Sequence, residues 1–412
     1  MSAPTHGEPR AWPDGYGTSG GCLTVGGRPV TDWAAELGTP LFLYDSALIA
    51  ARVRSLRAAM PAEVHLHYAI KANPLPAVVN LLAGLTDGLD VASAGELGVA
   101  LASGVQPERI SFAGPAKRDP ELAAAIQAGI ILNIEGAGEL ERAARIATAL
   151  GLPLKAALRI NPDFEVKGSG MRMGGGAKPF GVDTDQAPAL LARMAALGVD
   201  FHGFHIFAGS QNLSADAIAE AQDLSLALAA RLAEHAPRPP RHVNIGGGLG
   251  VPYTPQDKPL DLARLGESLH ARLARKEPAL AQAAIVLELG RYLVAEAGVY
   301  LTRVVEKKQS RGETFLITDG GLHHQLAASG NFGQAIRRNY PVAIANKYTQ
   351  PATGTASVVG CLCTPLDKLG EKIPVPDADA GDIVAVFLAG AYGATASPGR
   401  FLSHPEPAER LV

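Results

Sequence analysis

Val64-His65-Leu66-His67-Tyr68-Ala69-Ile70-Lys71-Ala72-Asn73-Pro74 is an apolar, strand-like run that ends on a lysine and gives way to a turn. An Ala/Leu-rich, helix-like stretch, Pro76–Leu85, follows it. The same unit recurs along the chain. Further strand-like runs are Leu89–Ala92, Ile110–Ala113, Ile130–Ile134, Lys155–Ile160, Phe201–Phe207, His242–Ile245 and Ile285–Leu289. Helix-like segments lie between them, among them Glu96–Ser103, Glu121–Ala128, Gly138–Leu150, Ala187–Leu197, Ala215–His235 and Leu260–Ala281. Eight strand-plus-helix units predict an α/β fold, a (β/α)8 TIM barrel. An open doubly wound sheet is the rival, and it usually has fewer strands.

After Leu289 the pattern changes. Val299–Val305, Thr314–Thr318, Ser357–Gly360 and Ile383–Leu388 are β-rich, with Gly/Pro-rich connections. The expected organisation is a flexible tail over 1–21, a strand segment joining the β domain over 22–43, the barrel over 44–295, and a C-terminal β-sandwich or barrel over 296–412. Within the second piece, Cys22–Val30 is expected to pair with the C-terminal domain. The net charge of the 412-residue chain is -3, which argues against a nucleic-acid or membrane-surface role. Runs such as Ile383–Ala391 are too short to span a bilayer. Met1–Gly21 has no secretory apolar core. The three cysteines, Cys22, Cys361 and Cys363, suggest a reducing compartment. A cytoplasmic protein is expected. The pair Cys361-Leu-Cys363 by itself is weak evidence for a metal, and none is expected.

In a barrel, function sits where strands end and βα loops begin. Lys71 ends the first strand. If it is desolvated there, its pKa falls, and a neutral amine can form a Schiff base with an aldehyde. The plainer alternative is a surface lysine at a strand edge. Ser93 and Glu96 follow strand two, Arg159-Ile-Asn161-Pro162 ends strand five, and Phe207-Ala-Gly-Ser210-Gln211 ends strand six. Gly246-Gly247-Gly248 ends strand seven, and Glu288-Leu-Gly-Arg291 ends strand eight. Three glycines let backbone N–H groups approach an anion. Ser210 can add a hydroxyl, and Arg291 a guanidinium counter-ion. A lysine beside a phosphate cradle implies a cofactor with an aldehyde and a phosphate, and pyridoxal 5′-phosphate has both. Glu288 can hold the pyridine nitrogen protonated, which makes the ring a strong electron sink. Its alternative is a cap or ion pair with Arg291.

Together these residues resemble the fold-type III pyridoxal-phosphate decarboxylases, the diaminopimelate/ornithine decarboxylase family, built on an alanine-racemase-like barrel. The resemblance runs through Tyr68-Ala-Ile-Lys71-Ala-Asn73, Asp90-Val-Ala-Ser93-Ala-Gly-Glu96, Arg159-Ile-Asn161-Pro162, Gly209-Ser210-Gln211, Gly246–Gly248, Glu288-Leu-Gly-Arg291, Cys363 and Gly390-Ala-Tyr392-Gly. It implies that Lys71 carries the cofactor. Ser210, Gly246, Gly247, Gly248, Arg291 and Tyr392 would bind phosphate, Glu288 would hold the ring nitrogen, and Asp90, Arg159 and Phe207 would complete the cofactor site. It also implies a homodimer with shared active sites, in which Cys363 comes from the second subunit and protonates the substrate carbon after carbon dioxide leaves.

Three departures bear on substrate. Phe207 stands where the family usually stacks a histidine on the cofactor; a phenyl ring can stack but cannot hydrogen-bond. His205, two residues earlier, reads as a packed histidine more than a catalytic one. Thr364 follows Cys363 where an acid usually receives a distal ammonium, although Asp367 could partly substitute. The substrate carboxylate would fall to Arg337, with Tyr340 beside it. The segment His323–Phe332 before it is a long insertion, either a solvated loop or a rebuilt pocket. Cys-Thr-Pro, Arg-x-Asn-Tyr-Pro and Ser397-Pro398 with His404-Pro405 resemble the decarboxylases that act on a glutamyl-carrier protein, and still more those associated with exosortase systems. A carrier-tethered substrate has no distal ammonium. An amino-acid racemase on the same fold is a rival, but such enzymes usually place arginine where Glu288 stands. An inactive cofactor-binding homologue is a second rival, though it would tend to have lost the lysine or phosphate contacts.

Overall fold

The alternation Val64, Leu66, Tyr68 packs into the interior while His65 faces out, so the opening stretch forms strand β1 (Val64–Ala69). It stops one residue earlier than the apolar run suggests. Ile70–Ala72 turns as a single 3-10 helix and swings Lys71 off the strand. The computed structural model describes residues 14–166, 168, 170–330 and 338–412.

The other barrel strands are β2 (Gly88–Val91), β3 (Ile110–Phe112), β4 (Ile131–Ile134), β5 (Lys155–Asn161), β6 (Asp200–Ile206), β7 (His242–Gly247) and β8 (Ala284–Leu289). All neighbours are parallel, β8 pairs with β1, and β4 pairs with β5, which closes the barrel. A short strand, Val182–Asp183, adds to the edge of β5. The interior holds fully buried Tyr68, Phe112, Phe201 and Phe204. Burying each such ring stabilises the fold by about 1.5–3 kcal/mol. Helices lie between the strands, for example Ala94–Ala102, Ala137–Leu150 and Ala215–Ala233. Ser93 and Glu96 have a local role here. The Ser93 hydroxyl accepts from Glu96 N, and the Glu96 carboxylate accepts from Ala92 N, so together they cap a helix start.

The chain divides into two compact units. One is the barrel, Ile49–Pro252 with Lys258–Ala295; the other gathers Met1–Leu48, Tyr253–Asp257 and Glu296–Val412. In the second unit a long strand, Gly298–Ser310, is the spine. It pairs with Ile383–Phe387 and Leu41–Tyr44 along its first half and with Glu313–Thr318 along its second. The pairing expected of Cys22–Val30 is corrected: Leu41–Tyr44 joins this sheet instead. Gly26 and Gly27, at φ +61° and +75°, turn the chain so that Cys22–Val25 pairs with Arg28–Pro29. Gly17–Ser19, expected as tail, pairs with the same strand, and Val30–Leu37 is a helix. No helix among the described residues is long and apolar enough to cross a membrane.

Candidate functional site at the mouth of the barrel

The 3-10 turn after β1 and the last residues of β8 meet at the C-terminal rim. Lys71 Nζ donates to Glu288 Oε1 at 3.1 Å. Glu288 is 4% exposed at its side chain, and Lys71 is 46% exposed. This corrects the expectation of a desolvated lysine. Strand burial does not extend to residue 71, because the turn lifts the side chain into the mouth and pairs it with a carboxylate. Lys71 Nζ also sits 5.4 Å from the centre of the Phe207 ring, within cation–π range.

His205, one residue from the end of β6, reaches the other oxygen of Glu288. Its Nε2 lies 2.9 Å from Oε2, and its ring is 2% exposed. Glu288 can only accept while ionised, so Nε2 carries the proton. The carboxyl feels opposing influences. Burial raises its pKa, but the Lys71 ammonium and the bond to His205 outweigh burial and hold it well below the usual carboxylate range. The arrangement is a buried anion with Oε1 turned to Lys71 in the mouth and Oε2 held by buried His205. His205 therefore belongs to the site. The available signal in the sequence was its place at the C-terminal end of a barrel strand, where functional residues gather.

The glycine turn after β7 is built for close approach. Gly246 and Gly248 have φ of +71° and +70°. A Cβ on Gly247 would collide with the Glu288 carbonyl, and one on Gly248 with the Gly209 carbonyl. The turn is thereby pressed between β8 and the Gly209-Ser210 segment. Gly246 contributes shape rather than a donor, because its N–H is taken by Asn244 Oδ1 at 2.8 Å. Ser210 is half-buried and lies in a two-residue ladder with Met171–Arg172. Arg291 begins the short helix directly after β8 and is partly buried.

Two further expected residues lie deeper. Asp90 Oδ1 accepts from Ser111 Oγ at 2.6 Å and lies 3.1 Å from His67 Nδ1. Arg159 is 7% exposed and its guanidinium lies 2.8 Å from Glu135 Oε1. Glu135 also accepts from Gly181 N and faces Lys117 at 3.9 Å. Arg159 and Lys117 outweigh burial and hold the Glu135 carboxyl low. Glu135 directly follows β4, a strand-end position that was its only sequence signal, and its partners Arg159, Lys117 and Gly181 are distant in sequence.

The remaining expected residues belong to the second unit. Cys363 is exposed on the turn 361–367. Thr364 Oγ1 accepts from Leu366 N and so closes its own turn. Tyr340 is buried with its ring 4.9 Å from Tyr253. Tyr392 takes φ +54°, a left-handed backbone uncommon outside glycine. Arg337 lies outside the described residues. Two expectations are corrected. Asp367 cannot take a substrate ammonium, because its two oxygens accept from Leu322 N at 2.6 Å and Leu362 N at 2.9 Å and it is 2% exposed. His323 and His324 are buried at 0% and 1%, not on a solvated loop.

Comparison with known proteins agrees with this geometry. The family model described as pyridoxal-dependent decarboxylase, pyridoxal binding domain, matches residues 46–295. The L-glutamyl-BtrI acyl-carrier protein decarboxylase of Niallia circulans is 35% identical over 388 residues, which cover 93% of this chain and 90% of that protein. The diaminopimelate decarboxylase of Aquifex aeolicus is 33% identical over 402 residues, 95% of this chain and 91% of that protein. Among solved structures, diaminopimelate decarboxylase from M. jannaschii in complex with L-lysine superposes with a TM-score of 0.87 at 26% identity, covering 97% of this chain and 93% of that one.

Proposed function

The chain belongs to the pyridoxal-dependent decarboxylase family, and from that premise we propose that Lys71, Glu288 and the loops after β6, β7 and β8 form its catalytic site. The protein is a carboxy-lyase that uses pyridoxal 5′-phosphate to decarboxylate an amino acid or amino-acyl substrate. The observation that carries the site assignment is the buried Glu288 carboxylate facing Lys71 at 3.1 Å in the barrel mouth.

The residues present fit the cofactor. A buried, ionised carboxylate suits a ring N–H, and the Gly246–Gly248 turn leaves no side chain over the backbone where an anion would rest. We assign Lys71 to its aldehyde carbon, Glu288 to its ring nitrogen and Phe207 to its ring face. Ser210, Gly247, Gly248 and Arg291 take its phosphate, Asp90 and Arg159 stay in the surrounding network, and Tyr392, in the second unit, keeps only the phosphate role that the resemblance implies. When bound, the cofactor supplies an electron sink for the carbanion left by carbon dioxide. Glu288 keeps its proton off and accepts throughout. His205 fixes the rotamer of Glu288. Lys71 would be the amine that can hold or return a proton at the mouth. Cys363 of the partner subunit supplies the proton to the substrate carbon. A homodimer acting in the cytoplasm is part of this proposal, as is membership of the exosortase-associated branch.

For substrate, we favour an amino-acyl group tethered to a carrier protein. Thr364 closes its own turn and Asp367 is spent on two backbone amides, so neither of these residues near Cys363 offers a carboxylate to a distal ammonium. The N. circulans relative is named for such a substrate. The racemase alternative is disfavoured by Glu288, since an anion at the ring nitrogen strengthens the sink rather than weakening it. A mass-spectrometric screen tests the assignment. Free diaminopimelate, ornithine, lysine, arginine and glutamate run beside a glutamyl-carrier protein. Loss of carbon dioxide from the tethered substrate alone is expected. Loss from a free diamine would refute the tethered assignment and make Thr364 a tolerated change.

A further inference from the structure

Three residues far apart in sequence converge in the second unit. His323, Cys361 and His404 each place a donor atom within 4.8 Å of the other two. Cys361 Sγ lies 3.6 Å from His404 Nε2. The His323 and His404 ring centres are 5.1 Å apart. A sulfur and a nitrogen bound to one tetrahedral zinc, at roughly 2.3 and 2.0–2.1 Å, lie about 3.6 Å from each other. The Cys–His spacing already has that value.

The second observation is His323 itself. It is 0% exposed, and neither ring nitrogen has a hydrogen-bond partner among the described residues. A buried imidazole left without both bonds is a costly arrangement. A thiol–imidazole hydrogen bond between Cys361 and His404 would account for that pair but would leave His323 unexplained. The neighbouring His324 makes the contrast plain. Its ring lies tilted against His323, with centres 3.8 Å apart, yet its Nδ1 meets Tyr300 OH at 3.1 Å and its Nε2 donates to Pro405 O at 3.0 Å. His324 is fully engaged and holds the chain just past His404.

The surroundings hold the cluster in place. Asp367 accepts from the amides of Leu322 and Leu362, the residues next to His323 and Cys361. Gly321 and Gly360 carry no side chain where that carboxylate passes. One carboxylate thus binds the two ligand-bearing loops together, the supporting role that outer groups play around bound metals.

We propose that His323, Cys361 and His404 form a zinc-binding site with one open position for water or an anion. A soft thiolate with two imidazoles selects zinc over magnesium or calcium. On binding, Cys361 loses its thiol proton to solvent, and zinc takes the sulfur lone pair. The metal would tie the loop displaying Cys363 to the segments at 323 and 404. All three ligand residues belong to the second unit.

The test uses the full-length protein with its cofactor. After treatment with a chelator, it is titrated with Zn(II), and separately with Co(II) as a coloured probe. We expect about one zinc per chain, and visible d–d bands with a thiolate-to-cobalt charge-transfer band, as tetrahedral sulfur ligation requires. Cys361→Ser and the half-buried His404→Ala should each lose the metal and the thiolate band, while Cys363→Ser keeps both. Far-UV circular dichroism checks that the variants fold. If the wild-type chain binds no zinc and gives no cobalt spectrum, the proposal is overturned whatever the variants do. It is equally overturned if Cys361→Ser and His404→Ala retain the metal, or if Cys363→Ser abolishes it.

Discussion

Replacing His205 with alanine should separate a positioning role from simple packing. His205 Nε2 donates to Glu288 Oε2 at 2.9 Å, between side chains that are 2% and 4% exposed. The bond is charge-assisted and buried, so its loss costs about 1.5–3 kcal/mol. At 1.36 kcal/mol per decade that is roughly 10–160-fold in kcat/KM. Lys71 cannot compensate. Its side chain is 46% exposed, so its charge is screened, and it would be occupied when the cofactor is held. The pH profile carries a second signature. His205 is among the groups that hold Glu288 low against burial. Without it the Glu288 pKa rises. Activity requires the ionised form and is lost as pH falls through that pKa, so the acid limb should move to higher pH. His205→Gln, which keeps a donor, should recover part of both effects. The assay is kcat/KM against pH on the substrate found by the screen, with cofactor absorbance recorded in parallel. An alanine variant within about twofold of wild type, with an unmoved acid limb, would refute the reasoning.

Lys71→Ala should reduce turnover to background and abolish borohydride-trapped cofactor; wild-type-like rates would sink the assignment. Cys363→Ala should slow turnover by roughly 10²–10⁴-fold, as loss of a proton donor does, with cofactor absorbance unchanged; if cofactor is lost instead, Cys363 is structural. Gly247→Ala should weaken cofactor binding at least about tenfold, because the new methyl meets the Glu288 carbonyl. Equal affinity by fluorescence titration would mean the turn yields without moving β8.

Strand and helix alternation made the barrel legible, because each strand-like run and its helix are local and short-range. The site was legible where chain order alone places a residue at a strand end, as with Lys71, Glu288 and the glycine turn. What escaped was set by partners distant in sequence. The exposure of Lys71 depends on one turn of 3-10 helix and on Glu288, 217 positions away. The engagement of Asp367 depends on the amide of Leu322, 45 residues before it. His205 looked like core because the carboxylate that gives it a role arrives on β8. The segment Cys22–Val30 reads as strand throughout, yet two glycines with positive φ fold part of it back on itself.

The strand Leu41–Tyr44 lies between Gly298–Leu301 on one side and Ala408–Leu411 on the other. The barrel unit includes no residue beyond Ala295. During synthesis, then, all parts of the barrel are available while Leu41–Tyr44 still waits for both neighbours. Domains generally fold as units in order of synthesis, so the second unit's sheet is complete only when Ala408–Leu411 reaches Leu41–Tyr44, after every residue of the barrel has been made.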